Sequence, residues 1–320
     1  MRGRDVLVTG AGGFIGGHLV RRLLGEGARV RAVDVKPAPD WHQRAEGSEA
    51  LVADLRQPAA AAAAVDGVED VFHLAADMGG IGFITGHKWD CMLSTVMDGL
   101  VLREAATAGC ERFLLSSSAC VYAQAKQGAD ARPLRESDAY PADPEDGYGW
   151  AKLFSERLCR HAHEEAGIET RVARLHNVYG PNGEYEGGRE KAPAALCRKV
   201  AEVSLGRADE VEIWGDGRQE RSFLWVEDAV EGLVRLMESE ETSPLNLGSE
   251  EKVTISAMVD LIEEIAATSA PRRFEGAAPT GVGSRTSDNT LVRERLGWEP
   301  GVDLRTGLGR LYPWILEQVS

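Results

Sequence analysis

Tyr148 and Lys152 have the side chains and the spacing of a proton-transfer pair. They lie four residues apart in the segment YGWAK, so a helix would place both on one face. An ammonium beside a phenol stabilises the phenolate and lowers the pKa of the tyrosine from about 10 towards neutrality. Such a phenolate can take the proton of a hydroxyl group while hydride leaves the same carbon, and Ser118 can hold that oxygen. Taken alone, a solvated surface pair is the simpler interpretation, and only the other motifs favour the chemical one.

A glycine-rich turn near the N-terminus predicts a dinucleotide site. Gly10, Gly13 and Gly16 form GxxGxxG between a predicted strand and a predicted helix. Glycine lets the backbone turn tightly and approach a pyrophosphate at the helix N-terminus. Asp34, which closes the next strand, suits a ribose 2′-hydroxyl and would repel a 2′-phosphate, so NAD is favoured over NADP. The predicted cofactor-binding residues are Gly10, Gly13, Phe14, Ile15, Gly16, Asp34, Asp54, Leu55, Tyr148 and Lys152.

Strands and helices alternate along the first half of the chain, and this alternation predicts the scaffold that positions these residues. The predicted strands cover 5–10, 29–35, 50–55, 68–75, 112–118 and 169–175, and the predicted helices cover 14–25, 59–65, 95–108 and 148–166. The pattern indicates an α/β fold with a Rossmann-type doubly wound parallel sheet. It places Ser118 at the end of a strand and Tyr148 at the start of a helix.

Beyond residue 175 the alternation breaks down, which predicts a smaller, discontinuous C-terminal substrate domain. Residues 176–222 are rich in glycine, proline and charge, with one helix near 192–205. A strand end and a helix follow at 223–239, then short strands, a helix at 256–267 and a terminal helix. We predict a NAD-binding Rossmann domain of residues 1–175 plus about 222–245. The substrate domain would comprise about 176–221 and 246–320.

Composition and charge exclude several other classes of protein. The 320 residues include 36 basic and 51 acidic side chains, and the net charge of −15 disfavours nonspecific binding to nucleic acid or to an anionic membrane. No apolar stretch approaches the roughly 18 residues of a membrane span. The cysteines are odd in number and form no CxxC pair, so we expect no metal site and reduced thiols in a cytoplasmic protein. They are Cys91, Cys110, Cys120, Cys159 and Cys197.

Several longer segments resemble those of enzymes that act on nucleotide sugars. The glycine turn, the Ser–Tyr–Lys set, HNVYGP at 176–181 and WGDGRQERSF at 214–223 resemble extended short-chain dehydrogenases/reductases. ADMGGIGF at 76–83, SSSACVY at 116–122 and GGREKAPAALCRK at 187–199 narrow the resemblance to the GDP-mannose 3,5-epimerase family. The similarity runs over nearly the whole chain, including NLGSEEKVTISAM and SRTSDN near the C-terminus.

The resemblance implies NAD-dependent epimerisation of GDP-D-mannose at C3, C5 or both through a transient 4-keto intermediate. The products would be GDP-L-galactose, GDP-L-gulose or both. A ketone at C4 makes the protons on C3 and C5 acidic, and inversion then needs a base on one face and an acid on the other. By resemblance Cys120 and Lys191 are this pair, and which one is the base stays open. A thiol and an ammonium suit the task because a site can tune both pKa values towards neutrality.

The resemblance also implies a binding site for a GDP-hexose and a homodimer. Gln219, Arg221 and Arg285 would lie at or near the diphosphate, since planar guanidinium groups suit phosphate. Dimerisation would use the helices at about 95–108 and 148–166. The residues that would contact sugar or nucleotide are Gly79, Ser118, Asn177, Glu190, Lys191, Lys199, Gln219, Arg221 and Arg285.

Other functions remain open at this point. A nucleotide-sugar 4-epimerase would use Ser118, Tyr148 and Lys152 and would need no further acid/base pair, and a C5-only epimerase would use the same residues. A 4,6-dehydratase would carry an acidic pair where this chain has Ala119 and Cys120. A NAD-sensing protein without activity would be expected to lack the tyrosine or the lysine. Cys120 on its own could also be a buried packing residue, since free cysteine is among the most buried types.

The chain departs from the family pattern in three places. Ala123 stands where proline is expected, the stretch at 89–96 lacks the expected asparagines, and 205–211 carries extra residues. These departures concern the cofactor side and the rim of the nucleotide pocket. They leave open the extent of inversion at C3 relative to C5.

Overall fold

Fourteen strands build the sheets of the protein. The computed structural model describes residues 1–320. In chain order the strands are β1 (Asp5–Thr9), β2 (Arg29–Asp34), β3 (Glu49–Val52), β4 (Asp70–His73), β5 (Arg112–Ser118), β6 (Glu169–Leu175), β7 (Val178–Tyr179), β8 (Val211–Trp214), β9 (Glu220–Ser222), β10 (Leu224–Trp225), β11 (Leu245–Leu247), β12 (Lys252–Thr254), β13 (Arg272–Glu275) and β14 (Ser284–Arg285). Seven of them form one parallel sheet in the order β11-β6-β5-β4-β1-β2-β3.

Ten α-helices accompany the strands. They are α1 (Phe14–Gly25), α2 (Pro58–Val65), α3 (Ile81–Gly86), α4 (Lys88–Ala108), α5 (Tyr148–Ala166), α6 (Ala192–Ser204), α7 (Val226–Glu238), α8 (Ile255–Ala266), α9 (Thr290–Leu296) and α10 (Leu304–Val319). α1 and α7 contribute to the hydrophobic core on one face of the large sheet, and α2, α4 and α5 to the core on the other. None of the helices is both long enough and apolar enough to cross a lipid bilayer.

The central strands are apolar on both faces because helices cover both faces. In β1 the sequence DVLVT places four consecutive buried side chains after Asp5, as is typical of strands inside a doubly wound sheet. The strand order reverses between β1 and β4, where Thr9 and His73 are register partners at the carboxyl ends. Ligands of such sheets bind in the crevice at this switch point. The predicted fold class, α/β with a Rossmann-type doubly wound sheet, is confirmed.

The C-terminal half builds a separate hydrophobic core. Its 17 buried residues come mainly from α6, α8 and α10 and from the short strands β8 and β10. Three small sheets lie in the same part of the chain: β10-β7, β12-β9-β14 and β13-β8. α7 and β11 instead return to the large sheet, where β11 pairs with β6. The predicted domain boundaries, at about 175, 222 and 245, stay a prediction.

Two helical features differ from the sequence prediction. α4 begins at Lys88 rather than at residue 95, and the short α3 precedes it. The first turns of α4 carry the exposed side chains of Trp89 and Met92. Apolar residues that face outwards disturb the periodicity from which a helix start is inferred. The segment 290–296 forms α9, which the sequence analysis did not distinguish.

A buried polar network stands behind the edge of the large sheet. The guanidinium of Arg174 in β6 donates from Nε and Nη2 to the carboxylate of Glu156 in α5, at 2.9 and 2.7 Å. Asn246 in β11 accepts a hydrogen bond from Tyr122 and lies 2.9 Å from His176 Nε2 through its own Oδ1. His176 is fully buried, and its Nδ1 has no partner. Burial lowers the pKa of His176 to about 3, against a partial upward effect of Asn246.

Replacing His176 by glutamine is expected to reduce the fall in the free energy of unfolding at acidic pH. The folded chain keeps His176 neutral while the unfolded chain protonates it below about pH 6.5, so the folded state loses stability as pH falls from 6.5 towards 3. The loss is about 1.4 kcal/mol per pH unit in this window. Urea unfolding of both proteins between pH 7 and 4 measures it, with the exposed His161→Gln as a control. Parallel curves for wild type and His176→Gln would refute the assignment.

Candidate active site

The glycine turn closes the crevice on the side of β1. Gly10 follows β1 with φ of +68°, in the left-handed region that glycine occupies at no steric cost. A Cβ on Gly16 would lie 2.1 Å from the carbonyl oxygen of Gly10, so only glycine fits there. α1 then starts at Phe14, and no side chain caps its N-terminus. The free backbone N–H groups therefore suit an anion such as a pyrophosphate.

Asp34 ties the end of β2 to the glycine turn. Its Oδ2 accepts a hydrogen bond from the backbone N–H of Gly12 at 3.0 Å, and its Oδ1 accepts one from Lys36 N–H at 3.0 Å. Asp34 stays partly exposed. Among the other predicted cofactor residues, Asp54 pairs with Arg56 and Leu55 is buried. Phe14 and Ile15 are partly buried at the start of α1.

Tyr148 and Lys152 lie on α5, where their spacing predicts a shared helix face, and both side chains are buried. The Nζ of Lys152 has no hydrogen-bond partner, and its nearest opposite charge is Asp98 Oδ2 at 3.6 Å. An orphaned ammonium donor, in a chain that also carries an uncapped glycine turn, fits a bound dinucleotide, because ribose hydroxyls would satisfy the ammonium. These residues therefore fit NAD.

The proton affinity of Tyr148 differs from the sequence expectation. Burial raises the pKa of Tyr148 well above 10, Cys120 and Asp98 add to the effect, and a hydrogen bond from Ser118 partly offsets it. The Lys152 ammonium lies against Asp98, so its charge is shared with a carboxylate. The expected lowering of the pKa by Lys152 is therefore not found in the protein without cofactor.

Cys120 is held at the end of β5 by its own neighbours. A 3₁₀ turn at Ala119–Val121 follows the strand, and the backbone N–H of Cys120 donates to Ser118 Oγ at 3.2 Å. The Sγ atom of Cys120 accepts a hydrogen bond from Arg285 Nη1 at 3.4 Å. Gly149 belongs to the same contact, since a Cβ there would lie 2.3 Å from the Cys120 carbonyl oxygen. The start of α5 is thus seated directly on the cysteine segment.

Lys191 lies partly buried where α6 begins. Burial lowers the pKa of Lys191, the charge of Arg285 lowers it further, and Cys120 acts in the opposite direction. Cys120 and Arg285 are therefore close enough to Lys191 to change its proton affinity. A buried ammonium of this kind exchanges protons nearer to neutral pH than a surface lysine does.

Two distant glycine-containing segments meet to position Lys191. The backbone N–H of Gly80 donates to the carbonyl of Arg189 at 2.9 Å, and a Cβ on Gly80 would lie 2.4 Å from the carbonyl oxygen of Glu190. The guanidinium of Arg189 stacks on the ring of Phe83, 3.7 Å from its centre. Gly79 fits against Phe83, where a Cβ would come within 2.8 Å. The segments ADMGGIGF and GGREKAP thus form one contact in the fold.

Arg221 and Arg285 add to the positive charge that Lys191 brings near Cys120. They are register partners on β9 and β14. Burial and the neighbouring Arg285 lower the pKa of Arg221 to about 10, and Cys120 opposes this. Arg221 also donates to the carbonyl oxygens of Thr280 and Val282 at 3.0 and 2.6 Å. Two guanidinium groups held together favour an anionic ligand between them.

The remaining predicted substrate residues are Asn177, Glu190, Lys199 and Gln219. Asn177, with φ of +40°, donates from Nδ2 to the Ser222 carbonyl at 3.0 Å, and Glu190 accepts a hydrogen bond from Gly188 N–H at 2.6 Å. Lys199 donates instead to Glu212, at 3.0 Å to its carbonyl.

Gln219 shares the neighbourhood of Lys199. Its Nε2 donates weakly to the carbonyl of Trp214, at 3.4 Å, and its Oε1 is buried without a partner. The Lys199 ammonium lies over the Trp214 ring, 5.9 Å from the ring centre. No contact links Lys199 or Gln219 to Cys120, so the structure places this pair apart from the acid/base residues.

The sequence analysis missed Gln127, which orients Arg285. Its Oε1 accepts a hydrogen bond from Arg285 Nε at 2.6 Å, and its Nε2 donates to the carbonyl of Tyr122 at 2.9 Å. Gln127 is almost fully buried. Nothing in its sequence context distinguishes it from a solvated loop residue, because its function depends on a strand that lies far along the chain.

The glycine turn after β1 and the thiol after β5 lie at the same carboxyl edge of the parallel sheet, and the start of α5, with its buried tyrosine and lysine, packs against the cysteine segment. The chain belongs to the NAD dependent epimerase/dehydratase family, whose model matches residues 6–248. It is 45% identical over 317 residues to GDP-mannose 3,5-epimerase 1 of Oryza sativa subsp. japonica, covering 98% of this chain and 82% of that protein. It is 44% identical over 318 residues to GDP-mannose 3,5-epimerase of Arabidopsis thaliana, covering 98% and 83%.

A solved structure gives the same fold. The UDP-glucuronic acid 4-epimerase from Bacillus cereus, in complex with UDP-glucuronic acid and NAD, superposes with a TM-score of 0.84 at 25% identity, over 99% of this chain and 100% of that one. The resemblance inferred from the sequence, to the extended short-chain dehydrogenases/reductases and to the GDP-mannose 3,5-epimerases, is confirmed. NAD as the cofactor is also confirmed, by the family.

Proposed function

We propose that this protein epimerises GDP-D-mannose at C3, C5 or both through a transient 4-keto sugar, giving GDP-L-galactose, GDP-L-gulose or both. The observation that carries the proposal is the thiol of Cys120 beside the ammonium of Lys191, close to Tyr148. A 4-epimerase needs the tyrosine but no such pair. The similarity to two plant GDP-mannose 3,5-epimerases supports the choice of substrate.

The first task of the site is to turn the C4 hydroxyl into a carbonyl. Bound NAD supplies the acceptor for the C4 hydride and afterwards its donor. Tyr148 takes the proton of the C4 hydroxyl and later returns it, and Ser118 holds the same oxygen. The high pKa of Tyr148 without cofactor suits this order, since the phenol stays protonated until positive charge is bound beside it. Burial of Tyr148 and Lys152 on α5 excludes water from the transfer.

The second task is to remove a proton from C3 or C5 and to deliver one to the opposite face. The C4 ketone acidifies both positions, because each carbanion is an enolate. We assign the exchange of these protons to Lys191, whose pKa is lowered by burial, and to Cys120. Arg285 donates a hydrogen bond from Nη1 to the sulfur at 3.4 Å and so helps to hold the thiol in place. Isotope exchange by Lys191→Met and Cys120→Ala distinguishes the base from the acid.

The third task is to hold the GDP-hexose. Arg221 and Arg285 lie side by side and concentrate positive charge in a chain of net charge −15. We assign them to the diphosphate side of the substrate, with Arg285 also serving the thiol. Gly79, Asn177 and Glu190 would contact the sugar from the Lys191 side. Lys199 and Gln219, beside Trp214, would contact the nucleotide end.

Incubation of the purified protein with GDP-mannose in D₂O, without added NAD, tests the proposal. We expect deuterium at C3, at C5 or at both, with L-configured products, in the NMR spectrum of the sugar. Label at C5 alone would assign a gulose-forming enzyme with the same residues. A 4-epimerised product without label would overturn the proposal in favour of the 4-epimerase. No reaction of a protein that carries NAD would overturn GDP-mannose as the substrate.

We further propose that the protein is a homodimer. α4 and α5 pack against each other and expose large apolar side chains to the outside. Trp89, Met92 and Val96 on α4 are 74%, 47% and 51% exposed, and Trp150 and Phe154 on α5 are 43% and 54% exposed. Exposed apolar groups concentrated on two adjacent helices are typical of an interaction surface. Two copies would bury them in a bundle of four helices.

Phe154→Glu is expected to convert the dimer into a monomer. The substitution removes a buried phenyl ring from each half of a two-fold interface and adds a charge there, which costs roughly 3–6 kcal/mol in total. The dissociation constant should rise by roughly 10²–10⁴-fold. Sedimentation equilibrium measures it, with Phe274→Glu as the matched control, since Phe274 is 50% exposed on β13. Equal masses for wild type and Phe154→Glu would contradict the interface.

The state of the cysteines supports a reducing compartment. All five are buried and unpaired in the structure. Proteins of the secretory route usually oxidise such thiols or pair them. We therefore place the protein in the cytoplasm.

A further inference from the structure

A buried carboxylate that the mechanism above does not use lies beside the catalytic lysine. Asp98 stands in the middle of α4 and is 3% exposed. Its Oδ2 accepts a hydrogen bond from Ser155 Oγ at 2.6 Å and lies 3.6 Å from Lys152 Nζ. Its Oδ1 lies 2.9 Å from Nε2 of His73. Buried carboxylates are rare unless they are paired, so this one needs an explanation.

The cluster continues from Asp98 to the glycine turn. His73 Nδ1 lies 2.9 Å from Thr9 Oγ1 at the end of β1. Thr9 Oγ1 already accepts hydrogen bonds from the N–H groups of Leu74 and Ala75, at 3.2 and 3.1 Å. The hydroxyl therefore has only its proton left to offer, and donates it to Nδ1. His73 is then protonated on Nε2 alone, and donates from there to Asp98.

The hydrogen bonds fix the charges of the cluster. His73 is neutral, so Asp98 is the one anion and Lys152 the one cation. Burial by itself raises the pKa of Asp98, but the Lys152 ammonium and the donors His73 and Ser155 bring it down to about 2. Asp98 is thus ionised at every working pH. The other titratable groups that face it are Tyr148 and Cys159 on α5.

Without Asp98 the ammonium of Lys152 would be buried and uncompensated. Lys152 is fully buried, and its Nζ has no hydrogen-bond partner in the protein. An unpaired buried ammonium loses its proton readily, because the neutral amine avoids the cost of desolvation. Asp98 removes that tendency and still leaves the donors of Lys152 free for a ligand. Thr9, which shares the chain of contacts, directly precedes Gly10 of the dinucleotide turn.

We propose that Asp98 is a positioning residue that keeps Lys152 charged and, through His73 and Thr9, fixes it relative to the glycine turn, so that NAD finds both parts of its site preformed. The inference rests on the proposed function only in taking Lys152 as a cofactor-contacting residue. Asp98 touches neither substrate nor cofactor itself. Its effect is transmitted by the charge and the position of Lys152.

Asp98→Asn tests the proposal because it removes the charge and keeps the shape. The amide Oδ1 can still accept from His73, while Nδ2 can donate to Ser155 Oγ, whose own proton then turns to the Ala151 carbonyl at 3.1 Å. The full-length chain, freed of bound nucleotide, is titrated with NAD between pH 6.5 and 9.5. We expect wild-type affinity to change less than twofold over this range. The affinity of Asp98→Asn should be about tenfold weaker at pH 7 and fall further as pH rises.

Glu156→Gln is the matched control. Glu156 is also a buried carboxylate, but on α5, and it pairs with Arg174 of β6 rather than with Lys152. Its loss is expected to lower stability and to leave the pH dependence of NAD binding unchanged. If Asp98 had a merely structural role, the NAD affinity of Asp98→Asn would be equally independent of pH. A flat, wild-type profile for Asp98→Asn overturns the proposal.

The link to the glycine turn has its own test, which also serves if Asp98→Asn does not fold. Thr9→Val keeps the shape of a buried strand residue and removes the hydroxyl, whereas Thr9→Ser keeps the hydroxyl. We expect Thr9→Val to bind NAD about tenfold more weakly and Thr9→Ser to bind like wild type. Equal affinities for the two variants overturn the link. Because these titrations contain no sugar, failure of GDP-mannose turnover would leave their result unaffected.

Discussion

Cys120→Ala is expected to oxidise GDP-mannose at C4 yet to invert neither C3 nor C5. The hydride step depends on Tyr148, Lys152 and Ser118, none of which the substitution changes. The proton transfers lose one of the two groups that carry them, which typically costs a factor of about 10²–10⁴. The reduced nicotinamide should therefore accumulate after mixing, while epimerised products fall by that factor. Absorbance of the nicotinamide and NMR of the sugar measure the two steps separately.

Cys159→Ala is the control for this variant. Cys159 is a buried thiol on α5 that faces the core of the large sheet. Its loss should affect stability alone and leave both steps at wild-type rates. Unchanged epimerisation by Cys120→Ala would contradict the role of the thiol. Loss of the hydride step together with epimerisation would instead show that Cys120 holds the 3₁₀ turn after β5 in place.

Lys191→Met, measured in D₂O beside Cys120→Ala, assigns the base. A variant that lacks the base removes no proton, so recovered GDP-mannose should carry no label. A variant that lacks the acid still removes and returns the proton on one face, so recovered substrate should be labelled without inversion. The half-buried position of Lys191 and its lowered pKa make either role accessible near neutral pH. The labelled variant therefore identifies the acid, and the unlabelled one the base.

The parts of the site that the sequence predicted are those built from local patterns. GxxGxxG and the strand before it have fixed local geometry, so Gly10, Gly16 and the start of α1 follow from spacing. Tyr148 and Lys152 share a helix face for the same reason. The positions of Ser118 at the end of β5 and of Tyr148 at the start of α5 followed from the order of strands and helices alone. For these residues the local sequence, over ten or twenty positions, determines their relative positions.

The parts that sequence could not predict depend on contacts between distant segments. Arg285 was assigned to the diphosphate, but the structure also brings its Nη1 to Cys120 Sγ, from a strand that pairs with β9 far along the chain. Asp98 looks like any acidic residue of a helix, and only the approach of α4 to α5 shows that it faces Lys152. The pKa of Tyr148 is raised rather than lowered, chiefly because burial disfavours the phenolate, and Cys120 and Asp98 add to the effect. Charge in a buried site is decided by every element around it.

Tyr148→Phe is expected to abolish every step, which distinguishes it from Cys120→Ala. Phenylalanine fills the same space, so the fold and NAD binding should persist. The substitution removes the group that takes the C4 proton, so no ketone forms. Without the ketone the C3 and C5 protons are not acidic, so deuterium uptake should fall with the hydride step, by about 10²–10⁴-fold.

The control for this variant is Tyr140→Phe, which alters a phenol that is 48% exposed. It should react like wild type. Deuterium uptake by Tyr148→Phe at more than a tenth of the wild-type rate would mean that proton removal at C3 or C5 does not need prior oxidation at C4. That outcome would remove the reason for placing Cys120 and Lys191 beside a hydride-transfer site. If Tyr148→Phe loses both nicotinamide reduction and deuterium uptake, whereas Cys120→Ala loses only epimerisation, the order of the steps follows. Tyr148 acts first, and the thiol and the ammonium act only on the ketone that it has made.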